Sequence, residues 1–288
     1  MVARSDSPQP FERYSGEGIC DRHGRMTEMM RRGPTATAVA LPVFAVACGG
    51  PEAQIPVPQL EADRILFERG TDAMEEENWA IAREYFIQIR DNYPQSSFRA
   101  DARLFIGDTY EGEGSAESYV QALNEFSDFL NLYPTHPRAA YAQFKVGMVH
   151  FHQMRTPERD QTETISAIRE FEAFIAQYPP AHELMPQVEE RAREAKDRLG
   201  EHHFLVGQFY HRFESWAGAI SRFREVLDNA PDFSSRDEVF FLLADALAST
   251  GQTAEAIPYF ARIIDEFTES EYAEQARTKL AELEATQN

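Results

Sequence analysis

Along most of the chain, apolar and small residues recur in one template: an Ala, a Phe four residues later, an apolar residue at seven, and an aromatic-Pro pair at eleven and twelve. Five stretches follow it: Ala82, Phe86, Ile89, Tyr93-Pro94; Ala122, Phe126, Phe129, Tyr133-Pro134; Ala167, Phe171, Phe174, Tyr178-Pro179; Ala219, Phe223, Val226, Ala230-Pro231; and Ala256, Phe260, Ile263, Phe267-Thr268. Offsets of 0, 4, 7 and 11 fall on one face of an α-helix, so each stretch predicts an amphipathic helix. Proline lacks an amide donor and disfavours α geometry in the residue before it, so each helix should stop at the aromatic-Pro pair.

Upstream of each Ala the pattern predicts a second helix with a small residue at its closest crossing: Gly70, Gly107, Gly147, Gly207 and Ala244. Three residues after each stand Ala73, Tyr110, His150, Tyr210 and Leu247. This order of small residue, Ala, Phe and Pro resembles the tetratricopeptide pattern, in which helix-turn-helix units stack on their neighbours. The expected fold is therefore all-α, a right-handed superhelix of about five such repeats. The repeat-to-repeat spacing, Ala to Ala, is 40, 45, 52 and 37 residues. Longer turns at Glu111 to Ser118 and Met154 to Thr164, and an extended helix from about Val188 to Arg212, account for the excess.

The N-terminal region follows different rules. Arg31-Arg32 precede a short apolar run that ends Phe44-Ala45-Val46-Ala47-Cys48, which describes a secretory signal peptide. The cysteine after Ala47 makes the segment resemble a bacterial lipobox, with Cys48 acylated as the new N-terminus and Ala45 standing where Leu is usual. Residues 1–25 are polar and fit poorly ahead of such a signal, so translation is expected to begin at Met26, Met29 or Met30. Residues 48–60, with Pro51, Pro56 and Pro58, read as a lipidated tether, 61–180 as repeats 1 to 3 and 181–288 as repeats 4 and 5. The second cysteine, Cys20, also lies ahead of the repeats, which excludes a disulfide framework within them.

Net charge is −20, and removing the leader does not reduce it. Such acidity argues against nucleic acid and anionic lipid surfaces as partners and leaves polypeptides. Histidines were the first suspects for chemistry. The pairs His150/His152 and His202/His203 sit two and one residues apart on predicted helices, so their side chains diverge and neither pair is placed to chelate one ion. Acid runs such as Glu75-Glu76-Glu77 read as solvated helix faces. With no phosphate loop, nucleophile elbow or His-Glu zinc motif, the expectation is a non-catalytic binding protein without cofactor or metal.

Several segments go beyond generic repeat residues: Asn78-Trp79, Tyr133-Pro134-Thr135-His136-Pro137, Arg159-Asp160-Gln161, and Leu199-Gly200-Glu201-His202 leading to Phe209-Tyr210. With the lipobox, they make the chain resemble the BamD family, the repeat lipoproteins of the outer-membrane β-barrel assembly machinery. The resemblance implies a scaffold on the periplasmic face of the outer membrane. Its last two repeats would dock a BamA-like barrel protein through that protein's periplasmic domains, alongside other assembly lipoproteins. Its first repeats would receive unfolded outer-membrane protein segments. Trp216 and Arg222 match the family's Trp-x5-Arg stretch and are the partner-binding candidates. Asn78, Phe105 and Tyr110 are candidates for the substrate groove, with packing an equal explanation. Two rivals remain open: the repeat protein that accompanies the Tol-Pal system in cell division, and an accessory subunit of a cell-wall enzyme.

Overall fold

A computed structural model describes residues 59–287. The signal peptide, Cys48 and most of the tether therefore lie outside the described residues. Eleven helices follow one another: α1 (Gln59–Glu75), α2 (Trp79–Asn92), α3 (Arg99–Glu113), α4 (Ala116–Leu132), α5 (Ala139–His152), α6 (Thr162–Gln177), α7 (Met185–Arg212), α8 (Trp216–Asn229), α9 (Arg236–Ser249), α10 (Thr253–Glu266) and α11 (Ala273–Gln287). No strand occurs among the described residues. Each helix packs chiefly on the one before and the one after it, which makes this a quasi-one-dimensional stack of five tetratricopeptide-type helix pairs.

The template residues build the core. Ala82, Phe86, Ala122, Phe126, Ala167, Phe171, Ala219, Phe223, Ala256 and Phe260 are all fully buried. Each phenylalanine ring lies on the small residue of its partner helix. A Cβ placed on Gly70, Gly107, Gly147 or Gly207 would fall 2.5–2.6 Å from the ring of Phe86, Phe126, Phe171 or Phe223. Close approach, not backbone freedom, is what requires glycine there. In the fifth pair Ala244 and Phe260 share one buried cluster. Burying each such ring contributes about 1.5–3 kcal/mol, so every helix pair carries a comparable share of the stabilisation at the same place.

Helix ends follow local chemistry. Tyr93, Tyr133 and Ala230 leave α geometry at φ −123°, −131° and −133°, as a following proline demands, and Phe267 does the same at −127° without one. In two of the turns that follow, a histidine takes over: His136 Nδ1 accepts from the Arg138 amide and His182 Nδ1 from that of Leu184, while each ring meets Phe129 or Phe174 edge-on.

The turns within pairs share another device. Glu77 and Glu214 adopt φ of 56° and 53°, and Gly251 adopts 77°. In all three the next residue's amide donates back to a carbonyl five residues earlier: Asn78 to Ala73, Ser215 to Tyr210 and Gln252 to Leu247, at 2.8–2.9 Å. This left-handed closure caps one helix and starts the next.

Two expectations change. The long turn expected at Glu111 to Ser118 shrinks to Gly114 and Ser115, because α3 continues to Glu113 and Ser115 caps α4 in a reciprocal box with Ser118. An eleventh helix closes the stack: Ala273 and Ala276 are buried against α10 while Glu274, Gln275 and Arg277 face water, as a terminal repeat requires.

Candidate functional site

The Trp-x5-Arg candidates lie at the start of α8. Trp216 is its first residue, directly after the Glu214-Ser215 turn, and half-buried with its indole edge-on to His211 at 5.2 Å. Trp79 occupies the equivalent place after Glu77-Asn78, close enough to Gly112 that a Cβ there would fall 2.8 Å from the indole. Trp79 thus packs its pair on α3 of the next, whereas Trp216 packs on α7 within its own pair. Arg222, two turns further on, keeps 36% of its side chain exposed and donates to Glu225 Oε2 at 2.7 Å. His203 Nδ1 approaches the same oxygen at 2.9 Å, and burial holds this imidazole below its usual value although Glu225 opposes the shift. Arg222 is thus a half-exposed cation aimed by α7 and α8 together.

In the first repeats the candidates separate. Asn78 is exposed and borders a shallow recess with Arg69, Asp72, Glu76, Ile81 and Tyr85. Tyr110 is half-buried under the Arg83 guanidinium, 4.0 Å from its ring centroid, and Arg83 is paired with Glu113. Phe105 belongs to the core: it is 9% exposed, its ring centroid is 5.2 Å from that of Phe86, and the Arg138 guanidinium lies over its ring, 5.0 Å from the centroid. A residue so enclosed packs α1, α2 and α3 together and offers little to a ligand.

Sequence reasoning missed a buried ionic cluster joining α3 to α5. Lys145 Nζ lies 3.2 Å from Asp108 Oδ1 and pairs with Glu111; Tyr141 donates to Asp108 at 2.8 Å, and His152 Nε2 is 3.4 Å from Glu111. Only 18%, 6% and 8% of the Lys145, Asp108 and Glu111 side chains are exposed. Burial pushes the Asp108 carboxyl up. It acts the same way on Glu111, but Lys145 and His152 outweigh it and hold that group low; Lys145 is raised well above its usual value against burial by Tyr141, Asp108 and Glu111. The signal was present as two acids and one lysine at inward positions of neighbouring first helices, 37 residues apart between Asp108 and Lys145. Nothing in a linear pattern says that those helices face each other.

No group of three or more potential metal ligands occurs among the described residues, and none of their helices is long and apolar enough to cross a membrane.

The family model described as "Outer membrane lipoprotein", YfiO, matches residues 60–257. Relatives named "Outer membrane protein assembly factor BamD" include those of Caulobacter vibrioides, 24% identical over 78% of this chain and 74% of the relative, and Haemophilus influenzae, 22% identical over 79% and 88%. That of Vibrio cholerae is 23% identical over 68% and 84%. Among solved structures, the TPR2AB domain of yeast Sti1 overlays with a TM-score of 0.42 at 13% identity, over 78% of this chain and 84% of that one.

Proposed function

Because the chain belongs to the YfiO family of outer membrane lipoproteins, we propose that it is a non-catalytic scaffold of the β-barrel assembly machinery, held on the periplasmic face of the outer membrane through lipid on Cys48. Its C-terminal repeats, 181–288, dock the periplasmic domains of a BamA-like barrel protein, with Arg222 as the exposed cation and Trp216 fixing the turn that presents it. The first repeats, 61–180, receive segments of unfolded outer-membrane proteins near Asn78 and Tyr110. Other assembly lipoproteins share the stack.

The observation that carries this reading is the family match across the described repeats, with relatives named as assembly factors over most of their own length. The same match disfavours the Tol-Pal and cell-wall readings. Stacked helix pairs offer long side-chain walls suited to binding polypeptides, and they present few of the enclosed polar clefts in which catalysis is built. To test it, the tagged chain is recovered from detergent-solubilised envelopes: a barrel protein carrying periplasmic domains should accompany it in near-stoichiometric amount, and its absence refutes the reading. For the anchor, inhibiting lipoprotein signal cleavage with globomycin should accumulate a larger precursor; an unchanged size rejects acylation of Cys48.

A further inference from the structure

Helix α7 is twice the length of α5, 28 residues against 14. Its register assigns its faces. Gln208 bonds Glu238 at 3.0 Å and His211 bonds Asp245 at 3.1 Å, so that side is fixed to α9. The opposite side begins under the α5–α6 loop, where Arg198 donates to the Arg155 carbonyl and His202 Nδ1 hydrogen-bonds the Pro157 carbonyl oxygen. At 100° per residue, Val206, Phe209 and Phe213 continue this second face for about 16 Å beyond His202. There the loop has ended and no helix among the described residues takes its place.

What stands on this step is not ordinary solvent-facing residues. Phe209 and Phe213 are 55% and 65% exposed, and their rings touch, with centroids 4.8 Å apart. The helix beneath them is pinned by α9, so the pair is held in place with little conformational entropy left to lose. Charge around it also departs from the rest of the molecule. Acids outnumber bases 48 to 28 in the chain, and most arginines among the described residues are paired. Yet Arg198 and Arg212, along this face, form no ion pair among the described residues, Arg198 instead donating to a backbone carbonyl; Arg155, in the loop, has Asp160 as an electrostatic neighbour. With exposed Glu201 and Glu214 nearby, the step is close to neutral where its surroundings are acidic. It also adjoins the docking candidates, because His211 touches Trp216 and His203 meets Arg222.

We infer that the Val206–Phe209–Phe213 face of α7 is a docking step for a partner segment that carries an apolar side chain flanked by carboxylates. The apolar group covers the two rings, and the carboxylates meet Arg198 and Arg212. This rests on the docking reading above and gives it a location and a chemistry: the barrel partner's periplasmic domains supply the segment.

The probe is the purified periplasmic domains of the barrel partner from the same organism, titrated against the full-length chain. Replacing both rings, Phe209→Ala with Phe213→Ala, should weaken binding at least thirtyfold, mainly through faster dissociation, and leave helicity and melting unchanged. Reversing charge, Arg198→Glu with Arg212→Glu, should slow association at least fivefold and flatten its salt dependence. Val120→Ala with Ile165→Ala, which removes equally exposed apolar groups on α4 and α6, should change nothing. If wild type binds and the ring variant binds equally well, the step is not the docking site although the scaffold reading stands. Ring sensitivity without charge sensitivity overturns the carboxylate assignment. If wild type does not bind, the docking reading falls and takes the step with it.

Discussion

Lys145 is the one cation that meets both enclosed carboxylates between α3 and α5, since His152 reaches only Glu111. Replacing it with methionine keeps most of the stem's volume, so the packing loss is small and the electrostatic loss is isolated. With 6% and 8% of their side chains exposed, Asp108 and Glu111 would lose their counter-charge without gaining water. Breaking a buried pair in this way costs about 3–5 kcal/mol. For a unit of this size each kcal/mol lowers Tm by roughly 2–4 °C, so Lys145→Met should melt about 6–20 °C below wild type. The sign of its pH dependence is a second check. Without Lys145 both carboxyls titrate higher in the folded state than in the unfolded state. Stability is then fully present below the unfolded values and lost as pH rises through the raised folded values, so the deficit should shrink in acid and grow as pH rises out of the ordinary carboxylate range. The triple variant that adds Asp108→Asn and Glu111→Gln should recover most of the loss. Circular dichroism melts at several pH values read both effects, and hydrogen exchange should place the weakening in α3 and α5. A deficit under about 1 kcal/mol, or one that does not depend on pH, would show that the cluster is hydrated and refute the reasoning.

Gly147→Ala should destabilise by about 1–3 kcal/mol in denaturant titrations, because its Cβ would fall 2.5 Å from the Phe171 ring, and adding Phe171→Leu should restore part of the loss. Glu214→Gly should stabilise by about 0.5–1 kcal/mol, since the left-handed φ of 53° strains a side chain that glycine lacks; a loss would mean that Glu214 makes a contact of its own. Asp245 accepts from His211 and Lys279, each at 3.1 Å, and the His211 contact comes first among the causes that hold its carboxyl below the usual range. That stability is present at neutral pH and lost as pH falls through the lowered value, so Asp245→Asn should cost about 1 kcal/mol at pH 7 and flatten the acid limb of the melting profile.

The repeats were legible because each pair repeats one local rule. The Tyr-Pro pairs after Asn92 and Leu132 stop helices by backbone chemistry alone, and the Gly-Phe pairs are a spacing that any stack of this kind needs. Less legible were features that depend on which helices become neighbours. Asp108, Glu111 and Lys145 look like the acids and bases of solvated faces until α3 and α5 are set side by side. Glu77 and Glu214 carry no sign of a left-handed turn, a geometry that glycine usually announces; their tryptophan neighbours signal it only once both turns are compared. Phe105 was left open between groove and packing, since an aromatic residue in a first helix suits both equally in sequence and only burial favours the core. Phe209 and Phe213 sit at helical spacing, and nothing in a linear pattern marks them as exposed.

This stack serves the assembly of outer-membrane barrels. The most direct measurement is depletion of the chain in its own cell, followed over a few generations by the fraction of newly made barrel proteins that reach the compact, heat-modifiable form on gels. The account predicts that this fraction falls while export of soluble periplasmic proteins continues, and that wild-type chain restores it. Barrel proteins that keep folding at the normal rate after the chain is gone would contradict it.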